Sequence, residues 1–240
     1  MNLYYITGTS RGIGKALAEE LLREETNVVI GLGRSASLSN ANYSHKVIDL
    51  SNLSEVMRFR FGEHLKADRV CLINNAGTLG EIKPVGKMNN DELIRAYNVN
   101  LIAPTILMNN FVKTYSDKSE TDKLILNISS GAAQSAYDGW SVYCSSKAGL
   151  TMFGDVILAE NKVHPESGLR ILSVAPGVIE TEMQQQIRSS SEEDFSTIDR
   201  FVELKEGGHL KSTQQTALEL IQLMENLPEE GDTSFMDLRS

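Results

Sequence analysis

The sequence predicts an α/β fold, a doubly wound parallel sheet of about seven strands with helices on both faces. Short apolar runs alternate with amphipathic segments of helical length along the chain. The runs are apolar throughout, as expected for strands buried on both faces. This β–α alternation favours parallel strands joined by right-handed crossovers. No repeat or low-complexity linker divides the chain, so we expect a single domain over residues 1–240.

The elements follow from these patterns. Apolar runs bounded by Gly, Asn or Asp predict strands at residues 3–6, 28–32, 47–48, 70–73, 124–128 and 171–175. Amphipathic periodicity predicts helices over residues 13–25, 90–115 and 141–161.

Residues 178–211 break the alternation, with a serine-rich acidic run, a helical pattern over 195–206 and a glycine pair. This segment follows a strand at the sheet edge where α/β proteins bind ligands, so we expect a lid. The alternative is a surface insertion without a role.

Composition narrows the class of protein. A net charge of −9 argues against nucleic-acid and membrane partners. Two cysteines, Cys71 and Cys144, are too few for a disulfide framework, which favours a reducing, cytoplasmic location. No apolar run approaches the roughly 20 residues that span a bilayer, and Met1 leads into a strand without a signal-peptide pattern. The four histidines lack metal-ligand spacing, so no metal is expected.

A glycine-rich loop joins the first strand to the first helix. Gly8, Gly12 and Gly14 let the backbone turn tightly, so that amide groups at the helix N-terminus approach a pyrophosphate. The spacing is G-x-x-x-G-x-G instead of the Rossmann G-x-G-x-x-G. We therefore predict a Rossmann-like dinucleotide site that also includes Ser10, Arg11 and Ile13; an ordinary glycine-rich turn is the alternative.

The end of the second strand indicates which dinucleotide binds. NAD-binding folds carry an acid there for the ribose 2′-hydroxyl, whereas residues 31–35 contain no acid. A 2′-phosphate needs positive charge, which Arg34 and Arg11 supply. The sequence therefore favours NADP(H), although either arginine alone is more often a solvated surface charge.

Two further strand ends supply weaker candidates for cofactor binding. Asp49 and Leu50 follow the third strand, within reach of an adenine, and Asn75, Ala76 and Gly77 follow the fourth. Each group also has an ordinary structural interpretation, since such residues cap helices and form turns.

Tyr143-x-x-x-Lys147 places a phenol and an ammonium on one helix face. A free phenol, with a pKa of about 10, is a poor proton donor at neutral pH. A neighbouring cation lowers that pKa, so the pair indicates proton transfer. With Ser130 upstream and a dinucleotide loop, this pattern predicts a redox enzyme.

These motifs together resemble the short-chain dehydrogenase/reductases from the first strand to the last helix. The resemblance rests on residues 7–14, Asp49, residues 74–77, Asn100, Ser130, Tyr143-x-x-x-Lys147, Pro176-Gly177 and Thr181. Within the family, residues 139–144 and 175–184 are similar to the group that contains benzil and sepiapterin reductases.

The resemblance implies roles for these residues. Tyr143 protonates the carbonyl oxygen, Lys147 lowers the phenol pKa and binds the nicotinamide ribose, and Ser130 stabilises the developing alkoxide. Asn100 distorts its helix and holds a water that relays protons. In the loop after the sixth strand, Thr181 binds the carboxamide, and Pro176, Gly177 and Val178 also contact the cofactor.

The implied substrate is one ketone of a vicinal dicarbonyl, either a benzil-like α-diketone or a sepiapterin-like pterin side chain. Trp140, Met183 and Gln184 are candidates to contact it, with Trp140 either stacking on the substrate or packing internally. Asp237 is the only acid near the position where animal sepiapterin reductases anchor the pterin. Homodimers or homotetramers are implied.

Two other functions remain open from the sequence. One is an NADP-dependent alcohol dehydrogenase of another substrate class, working mainly in the oxidative direction. The other is a catalytically silent dinucleotide-binding regulator, against which the intact Ser130, Tyr143 and Lys147 argue.

Overall fold

The computed structural model describes residues 1–62, 67–165, 168–227 and 233–239. It contains one seven-stranded sheet, in which every pair is parallel and the order is β3-β2-β1-β4-β5-β6-β7. The predicted fold class is confirmed. The strands are β1 Asn2–Thr7, β2 Asn27–Gly33, β3 Tyr43–Val47, β4 Arg69–Asn74, β5 Asp122–Ile128, β6 Leu169–Ala175 and β7 Phe235–Asp237.

Helices cover both faces of the sheet. They are α1 Gly12–Leu21, α2 Leu53–Arg58, α3 Asn90–Tyr97, α4 Ala103–Tyr115, α5 Ser141–Val163, α6 Glu182–Arg188, α7 Ile198–Glu206 and α8 Thr213–Glu225. A π-helical turn, Asn98–Ile102, joins α3 to α4, and a 3₁₀ turn, Gly131–Ala133, follows β5.

Each strand contributes side chains to two hydrophobic layers, because successive residues point to opposite faces. Leu3 and Tyr5 face the layer formed with α4 and α5, whereas Tyr4 and Ile6 face the layer formed with α1 and α8. A third, smaller cluster is formed jointly by residues 178–211 and the loops at the carboxyl edge of the sheet. This arrangement fixes the sheet rigidly behind the loops at its carboxyl edge.

Two strands differ from the sequence prediction. β3 occupies Tyr43–Val47 instead of residues 47–48, and Val47 is 78% exposed. As an edge strand β3 pairs only with β2 and carries polar residues, so apolar content did not mark it. β7, at the other edge, has only three half-buried residues and gave no apolar signal.

Two helices also differ. α1 ends at Leu21, four residues before the predicted end, because the chain turns there towards β2 and Asn27 Nδ2 donates to the Leu21 carbonyl at 2.9 Å. The single helix predicted over residues 90–115 is interrupted at the π-helical turn, where the Ala103 amide donates to the Asn98 carbonyl.

Residues 178–211 form a lobe that packs against the loops at the carboxyl edge of the sheet. Its ends are joined, since the Glu180 amide donates to the Lys211 carbonyl at 3.0 Å and the Lys211 amide donates to the Val178 carbonyl at 3.1 Å. The predicted helix over 195–206 begins at Ile198. Within the described part of the chain, no helix has the length and apolarity to cross a bilayer.

Candidate active site

The loops after β1, β2, β3, β4, β5 and β6 border one cleft with a volume of about 1460 Å³. The strand order reverses between β1 and β4, where open α/β sheets bind their ligands. The cleft joins the glycine loop, the residues around Tyr143 and the inner side of α6. All predicted cofactor and catalytic residues except Gly14 and Asn100 border it.

The glycine loop has the geometry of an anion cradle. Gly8 and Gly12 adopt φ of +76° and +59°, which side-chain-bearing residues rarely adopt. Gly14 packs so closely that a Cβ there would lie 2.2 Å from Asn75 Nδ2. The first turn of α1 has no side-chain cap, so its amides stay available to a phosphate. These residues fit the pyrophosphate of a dinucleotide.

The two predicted phosphate-binding arginines differ in their surroundings. Arg34 is exposed beside the cleft and has no hydrogen-bond or ion-pair partner among the described residues. Arg11 forms an ion pair with Glu182 on α6, which the sequence did not indicate. Arg34 is therefore the better placed of the two for a 2′-phosphate.

The ends of β3 and β4 are tied by internal hydrogen bonds. Asp49 accepts from the Ser51 hydroxyl at 2.7 Å, and this bond is the main reason that the pKa of Asp49 is lowered. Asn75 Nδ2 donates to the Thr7 carbonyl at 2.8 Å, and Thr7 Oγ1 accepts from the Asn75 and Ala76 amides. Thr7, which sequence reasoning did not single out, thus positions the β4 loop.

Ser130 and Tyr143 meet at the floor of the cleft. Ser130 follows β5, and the Ala132 amide donates to its Oγ at 3.1 Å. Burial has the largest effect on the Tyr143 phenol and raises its pKa, while the nearby Ser130 hydroxyl has a smaller effect and lowers it. The net direction is opposite to the sequence prediction that this phenol is acidified.

The position and burial of Lys147 explain why the Tyr143 phenol is not acidified. Its Nζ lies 5.8 Å from the centroid of the Tyr143 ring and donates to the Ile128 carbonyl at 2.7 Å. Burial lowers the pKa of Lys147 to about 8, because a charged ammonium is disfavoured away from water. In this geometry the lysine does not lower the pKa of Tyr143. It is a buried cation poised to lose its proton just above neutrality.

Asn100 lies fully buried in the π-helical turn. Its Nδ2 donates to the Thr78 carbonyl at 2.8 Å and to Ser146 Oγ at 3.1 Å, while its Oδ1 accepts from the Thr78 amide at 2.9 Å. A Cβ on Gly77 would lie 3.4 Å from Lys147 Nζ and 3.5 Å from Asn100 Oδ1. The helix distortion is present, and Asn100 fixes the loop in front of Lys147.

The loop after β6 leads from the sheet into the 178–211 lobe. Gly177 has a φ of +91°, and Val178 is half-buried in the lobe cluster. Thr181 is the N-terminal flanking residue of α6, and its Cγ2 lies 3.8 Å from a Cβ placed on Gly12. Pro176 and Thr181 thus border the cleft opposite the glycine loop.

Trp140 is a packing residue as well as part of the cleft wall. One face of its ring stacks on Phe195, with centroids 4.7 Å apart and planes within 9°. Its edge also meets Tyr143 and Phe201. Of the two roles left open by the sequence, internal packing is the one that this geometry supports.

Met183 and Gln184 lie on α6. Met183 is half-buried in the lobe cluster, and Gln184 is buried, with Arg188 Nη1 donating to its Oε1 at 3.5 Å. Both residues border the cleft. A further residue, Arg239, borders it close to Gly131 and was missed because nothing in its sequence neighbourhood marks it.

Fold and site together define a dinucleotide-dependent oxidoreductase class, and the chain belongs to the short-chain dehydrogenase family, whose model matches residues 2–192. Members of this family bind NAD(P) and act on small molecules.

Particular relatives are also similar. The chain is 39% identical to a benzil reductase ((S)-benzoin forming) of Bacillus cereus, with 94% of each chain covered. It is 32% identical to the sepiapterin reductase of Mus musculus, with 92% of this chain and 90% of that one covered. The crystal structure of the KRED1-Pglu enzyme superposes with a TM-score of 0.79, at 27% identity, over 98% of this chain and 100% of that one.

Proposed function

We propose that the chain is an NADPH-dependent carbonyl reductase that converts one ketone of a vicinal dicarbonyl to an alcohol, as in reduction of a benzil-like α-diketone to an α-hydroxyketone. The observation that carries this proposal is that Ser130, Tyr143 and Lys147 line the same cleft as the uncapped glycine loop. Similarity to a benzil reductase supports the substrate class.

The protein's side chains supply the proton and the electrostatic stabilisation. NADPH, when bound, would supply a hydride to the carbonyl carbon. The C=O π pair moves to oxygen, and Tyr143 donates its phenol proton there. Ser130 hydrogen-bonds the same oxygen as its negative charge develops. The ammonium of Lys147 then returns a proton towards Tyr143, which suits a group with a pKa of about 8.

The raised pKa of Tyr143 is compatible with this direction of reaction. A phenol that keeps its proton at neutral pH is ready to act as an acid once the carbonyl oxygen becomes basic. Asn100 contributes by holding the loop of Gly77 and Thr78 in front of Lys147. We also propose that Asn100 holds a water that relays protons towards Lys147.

The cofactor would be held along the whole cleft. The amides of the glycine loop take the pyrophosphate, Asp49 and Leu50 border the adenine end, and the loops after β4 and β6 hold the nicotinamide end. The proposed set is Gly8, Ser10, Arg11, Gly12, Ile13, Gly14, Arg34, Asp49, Leu50, Asn75, Ala76, Gly77, Tyr143, Lys147, Pro176, Gly177, Val178 and Thr181.

NADPH is preferred to NADH because Arg34, which has no ion-pair partner within the described ranges, follows β2, where residues 31–35 offer no carboxylate to accept from a 2′-hydroxyl. Arg34→Ala should raise the KM for NADPH about tenfold and leave the KM for NADH unchanged. Arg95, another cleft arginine, is ion-paired to Glu92 and provides the matched control, Arg95→Ala. Equal use of NADH by the unaltered protein contradicts the preference.

The substrate would lie between Tyr143 and the 178–211 lobe, which we propose acts as a lid. The joined ends of the lobe and its aromatic contacts with Trp140 support a unit that moves as one body. Met183 and Gln184 on α6 would contact the substrate, whereas Trp140 would shape the wall through Phe195.

The test of this function is NADPH consumption with benzil, with benzoin identified as the product. Steady turnover that yields benzoin supports the reductase. No turnover with any dicarbonyl, despite NADPH binding, favours the silent regulator instead. Faster oxidation of benzoin than reduction of benzil near neutral pH favours the oxidative dehydrogenase.

We also propose that the chain forms a homodimer or homotetramer through α4 and α5. Met152 and Val156 are 61% and 47% exposed and lie one turn apart on α5. Ile102, 36% exposed, lies in the π-helical turn before α4. Exposed apolar side chains so arranged are typical of a covered face. The cytoplasmic location and the absence of a bound metal, both expected from the sequence, remain predictions.

A further inference from the structure

The C-terminal strand brings an arginine to the catalytic end of the cleft. β7 pairs with β6 so that Asp237 lies opposite Ala175, and the Leu238 amide donates to the Ala175 carbonyl at 3.0 Å. Arg239 therefore emerges beside the loop that begins with Pro176 and Gly177.

Arg239 reaches over two glycines next to the reacting groups. A Cβ on Gly131 would lie 2.8 Å from Arg239 Nη2, and a Cβ on Gly177 would lie 3.3 Å from Arg239 Cγ. Gly131 directly follows Ser130, so the guanidinium lies one residue away from the proposed alkoxide-stabilising hydroxyl. A larger side chain at position 131 would occupy the space that Nη2 uses.

Asp237 fixes the orientation of this guanidinium. Its Oδ1 accepts from the Arg239 backbone amide at 3.0 Å and from Nε at 2.9 Å, and its Oδ2 accepts from Nε at 3.1 Å and from Nη2 at 2.5 Å. Such bidentate pairing holds a planar donor in one place. Nη1 makes no hydrogen bond within the described residues, and the Arg239 side chain is 45% exposed.

The cleft therefore meets the arginine and not the aspartate. Arg239 borders the cleft, whereas Asp237 does not. A ligand there encounters N–H donors that belong to a pair with no net charge. This pair suits an uncharged acceptor oxygen better than a cationic or donor-rich group, for which an open carboxylate is required.

We propose that Arg239 is a specificity-determining residue, whose free N–H groups hydrogen-bond the carbonyl oxygen that is not reduced, on the carbon next to the reacting ketone. The inference rests on the proposed reductase function and deepens it. It selects neutral vicinal dicarbonyls over ketones that lack a second oxygen. It also disfavours a pterin whose ring donors need the Asp237 carboxylate, because Arg239 occupies that carboxylate.

The test compares benzil with deoxybenzoin, which has the same two phenyl rings but a methylene in place of one carbonyl. In the unaltered protein, kcat/KM for benzil should exceed that for deoxybenzoin. Arg239→Met should lower kcat/KM for benzil about 10- to 100-fold, as expected for loss of a hydrogen bond from a charged donor, and leave that for deoxybenzoin unchanged. Arg239→Lys should recover part of the loss.

Arg200→Met is the matched control, because Arg200 also borders the cleft but contacts Tyr137 Oη at 3.4 Å instead of the Gly131 region. It should leave the benzil-to-deoxybenzoin ratio unchanged. NADPH affinity and thermal unfolding are measured for each variant, so that damage to the cofactor site or the fold is recognised.

Two outcomes overturn the inference while the reductase stands. One is an equal loss for both ketones in Arg239→Met, and the other is an unaltered protein that reduces deoxybenzoin as fast as benzil. A protein that binds NADPH but reduces neither ketone overturns the proposed function itself, and the inference with it.

Discussion

Ser130 and Ser129 are adjacent in sequence but have opposite surroundings. Ser130 reaches the cleft and the Tyr143 phenol, whereas Ser129 Oγ is buried against Thr151 Oγ1 at 2.8 Å. The chain stays extended just past the end of β5, with Ser130 at φ −160° and ψ 155°, so that successive side chains still point to opposite sides. Ser129 therefore provides a matched control for the proposed role of Ser130.

Ser130→Ala should lower kcat for benzil reduction about 100- to 1000-fold, because a donor to the developing alkoxide is removed. Ser129→Ala should change kcat by less than about threefold, since that hydroxyl faces away from the cleft. Steady-state kinetics at saturating NADPH check both values. Similar losses for the two variants would show that the effect arises from local packing.

The ionisation of Lys147 predicts a pH dependence. Burial lowers its pKa to about 8, and burial raises the pKa of Tyr143, so Lys147 loses its proton first as pH rises. If the ammonium returns the proton to Tyr143, kcat for reduction should be constant below about pH 8 and fall above it. A pH profile of kcat that stays flat well above that value contradicts the role of the lysine.

At the scale of elements, the chain separates a rigid sheet from a lobe held by aromatic side chains. Phe195 is fully buried, stacks on Trp140 and contacts Phe201 at a centroid distance of 5.6 Å. These rings connect the lobe to the start of α5, three residues before Tyr143. If residues 178–211 act as the proposed lid, these contacts would couple its movement to the residues around Tyr143.

Phe195→Ala should destabilise the lobe by about 3 to 5 kcal/mol, as for other buried phenylalanines. Hydrogen exchange should accelerate in residues 178–211 and stay unchanged in α1 and α8, which pack on the far face of the sheet. The KM for the dicarbonyl should also rise, because the destabilised lobe borders the proposed substrate site. Uniform acceleration across the chain would show that the lobe is not a separate unit.

Element prediction succeeded where burial leaves a pattern in the sequence. β1, β4 and β5 are central and apolar, and the first turn of α1 is marked by its glycines. β3 and β7 lie at the two edges, where strands need few apolar residues, and their positions were not predictable from hydropathy. The π-helical turn at Asn98–Ile102 leaves no hydropathy signal either, and only the family resemblance implied a distortion there.

In the candidate site, too, local sequence patterns were informative, whereas burial and long-range contacts could not be predicted. Residue spacing predicted that Ser130, Tyr143 and Lys147 act together, and all three border the same cleft. It did not predict the direction of the Tyr143 pKa, which depends on burial, or the Arg11–Glu182 ion pair, which joins distant parts of the chain. Arg239 was unpredictable because its contacts with the Gly131 region arise only from the pairing of β7 with β6.

For the whole molecule, the exposed apolar face of α5 predicts association. Light scattering after gel filtration should give a mass at least twice that of one chain. Met152→Glu with Val156→Glu should shift it towards 26.5 kDa, because charges at a covered apolar face oppose association. Met57, 54% exposed on α2, supplies the control Met57→Glu, which should leave the mass unchanged. A monomeric unaltered protein contradicts the proposed interface.

The central claim is that Tyr143 donates the proton in NADPH-dependent reduction of a dicarbonyl. The most direct measurement is kcat/KM for benzil in the unaltered protein and in Tyr143→Phe, with NADPH affinity determined on the same preparations. We expect a loss of at least about 100-fold in Tyr143→Phe with NADPH affinity unchanged. Retained benzil reduction in Tyr143→Phe would contradict the account.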